Sequence, residues 1–256
     1  MTNTEKTNEI HNRDFDAVIF DTDGVVTKTA TVHATAWKRM FDAYLEEHGK
    51  KTGVSFVPFD ADVEYKEYVD GKPRYDGVDS FMRSRGIVLE RGTPSDSPEM
   101  ETVCGLGNRK NAHFIKVVEE QGVEAFESTL ELIRDLHKAG IRTALISASK
   151  NCRAIVGATD SLDLFETIVD GLEAEKTGFP GKPAPDVFLV AAKRLNVTPE
   201  RAVIVEDAIS GVQAGAAGHF GMVLGVAREG NKEALKENGA DVVVTDLAEM
   251  RVVDDK

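Results

Sequence analysis

Two aspartates separated by one residue follow an apolar run near the start of the chain. Residues 16–21 read as a buried strand, and Asp21, Thr22, Asp23 and Gly24 come at its end. In a parallel sheet, a strand that ends in a carboxylate presents it to the crevice where ligands bind. One carboxylate can attack phosphorus while the other moves a proton, and a glycine lets the backbone approach a phosphate closely. An Asp-rich turn without a catalytic role has the same pattern, so this segment alone leaves both interpretations open.

Further polar residues follow other apolar runs in the same way. Ser147 ends a predicted strand, and its hydroxyl can donate to a phosphate oxygen. Lys182 lies in a loop before a predicted helix and offers a fixed positive charge for an acyl phosphate. Glu206 and Asp207 end another predicted strand and supply the oxygen ligands that Mg²⁺ prefers. A helix cap, a solvated lysine or a capping carboxylate would explain each of them singly, but together they indicate a phosphoryl-transfer site.

The elements that must position these residues alternate between apolar runs and amphipathic helices. The predicted strands cover residues 16–21, 142–147, 167–170, 202–206, 222–226 and 241–245, and the predicted helices cover 128–139, 186–195 and 209–217. Continuous β-branched runs separated by helices are typical of a parallel sheet covered on both faces. The sequence therefore predicts an α/β fold with a doubly wound, Rossmann-like core.

This alternation stops in the first half of the chain. The pattern there is helical over residues 34–48, 78–85 and 111–121, with a polar stretch at 91–98. So long an insertion does not fit a simple crossover between strands. We expect an inserted all-helical cap domain over 33–123, a catalytic core formed by 14–32 with 124–256, and a disordered tail over 1–13.

Composition limits the partners that the protein can have. The 256 residues include 31 Lys and Arg and 44 Asp and Glu, which gives a formal charge of -13. Such an acidic surface repels nucleic acid and anionic lipid, so we expect neither as a partner. It also repels a phosphorylated substrate, which therefore needs local positive charge at its binding site. The two cysteines suggest neither a disulfide framework nor a zinc site. We expect no signal peptide, because residues 1–13 are polar. No apolar run approaches the roughly 20 residues that span a bilayer, and we expect a cytoplasmic monomer.

The four groups of polar residues described above resemble, in order, the four motifs of the haloacid dehalogenase superfamily. The resemblance implies a Rossmann-like core with a helical cap inserted after the first strand. It also implies Mg²⁺ as cofactor, held by Asp21, Asp23, Glu206 and Asp207. Asp21 would carry the phosphoryl group as an aspartyl phosphate, and Asp23 would act as acid and base. The founding dehalogenases lack the second aspartate, so Asp23 points to phosphoryl rather than halide chemistry.

A closer resemblance is to the β-phosphoglucomutase-like subfamily, and residues 20–38 look like its opening segment. The resemblance implies that Thr29 and His33 help to hold the acid/base aspartate, and that Arg74 grips a phosphate. The remaining implied substrate contacts are Gly24, Gly71, Lys110, Asn111, Ser149, Lys150 and Asn151. Extra residues around 65–70 and 91–98 lengthen the cap, which is where this subfamily sets its substrate.

Three functions fit these patterns. The first, implied by the resemblance to the β-phosphoglucomutase-like subfamily, is a sugar-phosphate mutase that interconverts β-glucose 1-phosphate and glucose 6-phosphate. The second is a sugar-phosphate phosphatase, in which water takes the phosphoryl group from Asp21. The third is a non-enzymatic phosphoacceptor domain, which would not sustain turnover of a phosphate ester. Nucleotide binding does not fit, because residues 178–183 are too short for a phosphate-binding loop of the Walker type and Gly105–Gly107 follows no strand.

Overall fold

The apolar runs form parallel sheets in the computed structural model, which describes residues 7–228 and 230–255. The strands are β1 (Glu9–His11), β2 (Ala17–Asp21), β3 (Arg142–Ile146), β4 (Thr167–Val169), β5 (Ala202–Glu206), β6 (Met222–Val226), β7 (Val242–Val244) and β8 (Arg251–Val253). The α-helices are α1 (Ala30–Thr52), α2 (Arg74–Ser84), α3 (Val103–Gln121), α4 (Glu127–Lys138), α5 (Cys152–Gly157), α6 (Gly171–Thr177), α7 (Asp186–Arg194), α8 (Ile209–Ala217) and α9 (Lys232–Glu237). Among the described residues, no helix is both long enough and apolar enough to cross a membrane.

The main sheet has six parallel strands in the order β4-β3-β2-β5-β6-β7. The chain runs outward from β2 through β3 to β4, and then returns to the other side of β2 to form β5, β6 and β7. The strand order therefore reverses beside β2, and ligands of such sheets bind at that point, beyond the carboxyl ends of the strands. This topology confirms the predicted doubly wound parallel sheet.

Both faces of the sheet are buried. Val18 and Phe20 pack into one apolar cluster with α4 and α5, and Ala17 and Ile19 pack into another with α7 and α8. Successive side chains of a strand point to opposite faces, so a strand covered on both sides is apolar at every position. This explains why β2 reads as a continuous apolar run up to Asp21.

The described chain divides into two compact units. Residues up to Lys28 and from Glu124 onward form the sheet unit, and Thr29–Val123 form the helical unit. The helical unit contains α1, α2 and α3, with a π-helical turn at Tyr65–Val69. Its core is largely aromatic: the Phe41 ring centroid lies 4.1 Å from that of Phe81 and 5.1 Å from that of Phe59.

The three helices of this unit begin earlier in the chain than predicted. The largest error is α3, which begins at Val103 rather than Asn111. Two glycines disguised its first turns, since glycine disfavours helix interiors. Both are needed for packing: a Cβ at Gly105 would lie 2.3 Å from the carbonyl oxygen of Met100, and one at Gly107 would lie 2.7 Å from the Tyr75 ring.

The expectation of a disordered tail is wrong for part of residues 1–13. Residues 1–6 lie outside the described residues, but Glu9–His11 form β1, which pairs in parallel with β8. Ile10 is fully buried in this pairing. The sequence did not reveal it because the two partners lie at opposite ends of the chain and each strand has only three residues.

Cys152 provides a test of the packing beneath the main sheet. It is fully buried at the start of α5, and Thr22 Oγ1 lies 3.4 Å from its Sγ. Burial raises the pKa of the Cys152 thiol to about 12. In a Cys104→Ser variant, we expect alkylation of Cys152 at pH 8 to be slower by at least about a thousandfold than in the unfolded chain, because only the thiolate reacts. Timed alkylation followed by mass spectrometry measures this, and equal rates in the folded and guanidinium-unfolded protein would contradict the packing.

Candidate functional site

Asp21 ends the central strand and is buried at the carboxyl edge of the sheet. Its Oδ1 accepts a hydrogen bond from Lys182 Nζ at 2.5 Å, and its Oδ2 accepts one from the Asp23 backbone N–H at 3.0 Å. Both oxygens are therefore oriented by donors. The second of these donors exists because the chain turns sharply after β2 and brings the Asp23 backbone back over the Asp21 side chain.

Lys182 is buried between two carboxylates, with only 3% of its side chain exposed. It contacts Glu206 as well as Asp21. Desolvation by itself would lower the pKa of the Lys182 ammonium, but the two adjacent carboxylates together raise that pKa above its ordinary value. The lysine therefore stays charged and provides a fixed positive group beside Asp21.

Three acidic residues meet at this edge of the sheet. Oxygen atoms of Asp21, Glu206 and Asp207 lie within 4.8 Å of one another. Burial raises the pKa of the Asp21 carboxyl well above its usual range; the Lys182 charge opposes this shift, and the charges of Glu206 and Asp23 add to it. One ammonium does not balance three carboxylates, so a divalent cation fits this cluster by charge and by ligand type. Asp23 lies outside the cluster, and its metal-binding role stays a prediction.

Backbone donors fix the acidic residue at the end of β5. Glu206 Oε2 accepts the backbone N–H of Asp207 at 3.0 Å and that of Ala208 at 2.9 Å. A Cβ at Gly211 would lie 1.9 Å from Glu206 Oε1, so the carboxylate rests directly against a glycine of α8. These contacts hold Glu206 with its other oxygen toward Lys182.

Gly24 is required by both its conformation and its surroundings. Its φ is +80°, and its N–H donates to the carbonyl of Thr27 at 2.8 Å. A Cβ at this position would lie 1.8 Å from Asp207 Oδ2. The turn that bears Asp23 therefore packs against the acidic cluster, and a larger residue would displace one or the other.

The serine-rich segment follows β3, the neighbour of the central strand. Ser147 is buried, and its Oγ accepts the backbone N–H of Ser149 at 3.0 Å. The hydroxyl of Ser149 in turn accepts the N–H of Asn151 at 3.1 Å, and Lys150 pairs with Glu175 at 2.5 Å. These hydrogen bonds shape a tight turn at the same sheet edge as Asp21, since Ile146 pairs with Asp21 in the sheet.

Other predicted residues lie in the helical unit. Thr29 is buried just before α1, and its carbonyl accepts the N–H of His33 at 2.9 Å. His33 Nδ1 lies 2.6 Å from Lys110 Nζ, and it must be the acceptor because a lysine ammonium only donates. The Lys110 ammonium also lies 5.0 Å from the centroid of the Trp37 ring. Lys110 is buried beside aromatic rings.

The remaining predicted substrate residues belong to two elements of the same unit. Gly71 has a φ of +67° in the turn before α2, and Arg74 is the first residue of that helix. Arg74 Nη1 lies 3.4 Å from Asn108 Oδ1. Asn111, the last of the set, is half-buried on α3. The predicted site residues therefore form two groups, one around Asp21 in the sheet unit and one in the helical unit.

Three residues that hydrogen-bond to members of these two groups were not identified from the sequence. Arg228 Nε donates to the Gly24 carbonyl at 3.2 Å, and its guanidinium stacks 3.6 Å from the Phe126 ring centroid. Asn231 Nδ2 donates to the Asp207 carbonyl at 3.2 Å, and Asn108 contacts Arg74. Arg228 had a usable signal: it is the first polar residue after an apolar strand, as Asp21 and Ser147 are.

Comparison with known proteins identifies the family of the chain. The family model of the haloacid dehalogenase-like hydrolases matches residues 15–219. The chain is 48% identical over 238 residues to a β-phosphoglucomutase of Mycobacterium tuberculosis, covering 91% of this chain and 90% of that protein. It is 28% identical over 239 residues to a phosphorylated carbohydrates phosphatase of Thermotoga maritima, covering 90% of this chain and 94% of that protein.

Solved structures give the same assignment. The crystal structure of β-phosphoglucomutase from Clostridium difficile matches with a TM-score of 0.69 and 27% identity, covering 92% of each chain. Since the matching relatives are enzymes, the alternative of a non-enzymatic phosphoacceptor domain is excluded. The chain is therefore an enzyme of the haloacid dehalogenase-like hydrolase family, within its phosphotransferases and phosphatases.

Proposed function

We propose that the enzyme transfers phosphoryl groups through Asp21. A carboxylate oxygen of Asp21 attacks phosphorus, the bond from phosphorus to the leaving oxygen breaks, and Asp23 protonates that oxygen. The observation that carries this proposal is the 2.5 Å contact between Lys182 and Asp21 beside Glu206. A buried ammonium held in this way orients the nucleophile and offsets the charge of the acyl phosphate.

The acidic cluster supports Mg²⁺ as the cofactor. Asp21, Glu206 and Asp207 would hold the ion, and the resemblance adds the backbone carbonyl of Asp23. When bound, the ion would neutralise charge on the transferring phosphoryl group. Ser147 would donate its hydroxyl to an oxygen of the same group, and Gly24 would allow the backbone to approach it.

The substrate that we propose is a sugar phosphate, and the reaction is the interconversion of β-glucose 1-phosphate and glucose 6-phosphate. Phosphorylated Asp21 would give its group to the C6 hydroxyl, whose proton goes to Asp23, and the resulting 1,6-bisphosphate would return its C1 group to Asp21. Arg74 would hold the second phosphate. The 48% identity to a β-phosphoglucomutase over 91% of the chain supports this choice. The roles implied by resemblance for Thr29, His33, Gly71, Lys110, Asn111, Ser149, Lys150 and Asn151 stay predictions.

A sugar-phosphate phosphatase is the second candidate. The family model is named for hydrolases, and the Thermotoga maritima relative is a phosphatase of phosphorylated carbohydrates. In this reaction, water attacks the phosphorus of the aspartyl phosphate and inorganic phosphate leaves. Product analysis by phosphorus NMR, with β-glucose 1-phosphate and a trace of the 1,6-bisphosphate, separates the two: glucose 6-phosphate supports the mutase, and inorganic phosphate alone supports the phosphatase.

Asp21→Asn tests the nucleophile. The amide has nearly the same size but cannot form the acyl phosphate, so we expect the fold to persist and turnover to fall below detection. Borohydride reduction of the phosphorylated enzyme, followed by mass spectrometry, should convert residue 21 to homoserine in the wild type only. Asp16→Asn is a matched control at the opposite end of the same strand, where Asp16 pairs with Arg201, and it should remain active. Activity of Asp21→Asn near that of the wild type would remove Asp21 as the nucleophile.

Asp207→Asn tests the metal site independently of turnover. Loss of one of the three carboxylates should weaken Mg²⁺ binding by about tenfold or more, because magnesium relies on few protein ligands. Isothermal titration calorimetry measures the affinity directly. Asp163→Asn, which changes an exposed carboxylate of the same unit, should titrate like the wild type. Unchanged affinity in Asp207→Asn would reject this ligand assignment.

Arg74→Ala separates the two candidate reactions. A mutase must hold the far phosphate while the near one reacts, and loss of a charge-assisted hydrogen bond costs roughly 1.5–3 kcal/mol. We therefore expect isomerisation to fall about ten- to hundredfold while hydrolysis of p-nitrophenyl phosphate falls much less.

Arg83→Ala is the control for this experiment. Arg83 is an exposed arginine of the same helix, paired with Asp79 at 2.8 Å, and its loss should leave both rates near those of the wild type. Equal losses of the two activities in Arg74→Ala would assign Arg74 to folding of the helical unit. No loss of either would deprive the mutase proposal of its second phosphate contact.

A further inference from the structure

Asn108 uses the full hydrogen-bonding capacity of its side chain. Its Oδ1 accepts from Tyr75 Oη at 3.0 Å and from Arg74 Nη1 at 3.4 Å. Its Nδ2 donates to the carbonyls of Pro94 at 3.1 Å and Asp96 at 2.9 Å. An asparagine amide has two acceptor lone pairs and two donor protons, and all four are engaged. A flipped amide would face carbonyls with its oxygen, so these partners also define its orientation.

The segment that receives the Nδ2 protons is the polar stretch 91–98, which the proposed function leaves without a role. It is anchored to the start of α3. Thr102 Oγ1 donates to Asp96 Oδ2 at 2.6 Å and accepts the Gly105 N–H at 2.9 Å as the helix cap. The backbone N–H of Cys104 also donates to the Arg91 carbonyl at 3.0 Å. These hydrogen bonds attach the stretch 91–98 to the first turn of α3, about one turn before Asn108.

Arg74 packs against α3 at Gly107, the residue next to Asn108. A Cβ at Gly107 would lie 3.3 Å from Arg74 Cδ and 2.7 Å from the Tyr75 ring, so the missing side chain makes room for both residues. The Arg74 guanidinium carbon lies 5.7 Å from the centroid of the Tyr75 ring. The aliphatic part of the Arg74 side chain therefore packs against Gly107, and its guanidinium group reaches the amide oxygen of Asn108.

We propose that Asn108 is a positioning residue for Arg74, and that the stretch 91–98 acts through Asn108 to set where Arg74 holds the second phosphate of the substrate. This inference rests on the proposed role of Arg74. It assigns a role to the extra residues at 91–98: they fix the position of the Arg74 guanidinium within the helical unit, and so the affinity of Arg74 for the second phosphate of a sugar bisphosphate.

The test is a double-mutant cycle with Arg74→Ala and Asn108→Leu. Leucine keeps the branched shape of asparagine and its number of side-chain heavy atoms, although it is larger, and it removes all four hydrogen bonds. We expect Asn108→Leu to raise the KM for glucose 1,6-bisphosphate about tenfold, with less than about a twofold change in the hydrolysis of acetyl phosphate, which has a single phosphate. The double variant should be no worse than Arg74→Ala, because both changes remove one function. Tyr75→Phe, which removes one of the four contacts, should change the KM less than Asn108→Leu does.

The outcomes separate this inference from the function on which it rests. If Arg74→Ala raises the KM but Asn108→Leu does not, or if the two effects multiply, the positioning role is overturned and the phosphate contact of Arg74 stands. If Arg74→Ala leaves the KM unchanged, the proposed role of Arg74 fails and the inference fails with it. Should Asn108→Leu not fold, Asn108→Asp replaces it: the carboxylate cannot donate to the carbonyls of Pro94 and Asp96, and a KM equal to that of the wild type would overturn the proposal.

Discussion

The buried ammonium of Lys182, held between Asp21 and Glu206, is the interaction on which the rest of the site depends. A buried charge is tolerated only when it is paired, and here each partner needs the others. Two adjacent strands bring the carboxylates together: Phe20 pairs with Val205, so Asp21 and Glu206 are the next residues at the edge. The strand order of the sheet therefore creates the electrostatic site, and the loop before α7 supplies its counter-charge.

Close packing around the carboxylates is the second constraint. Gly24 and Gly211 each lie so near an acidic side chain that a Cβ would come within 2 Å of a carboxylate oxygen. Arg228 and Asn231, which follow β6, donate to backbone carbonyls of the turns that bear Gly24 and Asp207. Side-chain hydrogen bonds from the segment after β6 to the backbone of these two turns therefore help to hold the acidic groups in place.

The helical unit is held together by side-chain packing rather than by strand pairing. Aromatic packing among Phe41, Phe59 and Phe81 joins α1 and α2 to the segment between them. On that base, Lys110 is bound by His33, and Arg74 is bound by Asn108. Both polar pairs involve α3, whose glycines permit close approach of the neighbouring segments. Both polar pairs lie within the helical unit.

The sequence by itself determined the parallel sheet and the position of the sheet-unit residues along the chain, because both follow local rules: continuous apolar runs make buried strands, and polar residues at their ends meet at one edge. The strands β5 and β6 have the predicted bounds. Only the tertiary structure decided the pairing of β1 with β8, the true start of α3, and the contacts of Asn108 and Arg228. These depend on contacts between residues far apart in the chain, and their free energies outweigh the local preferences of glycines and of short polar segments.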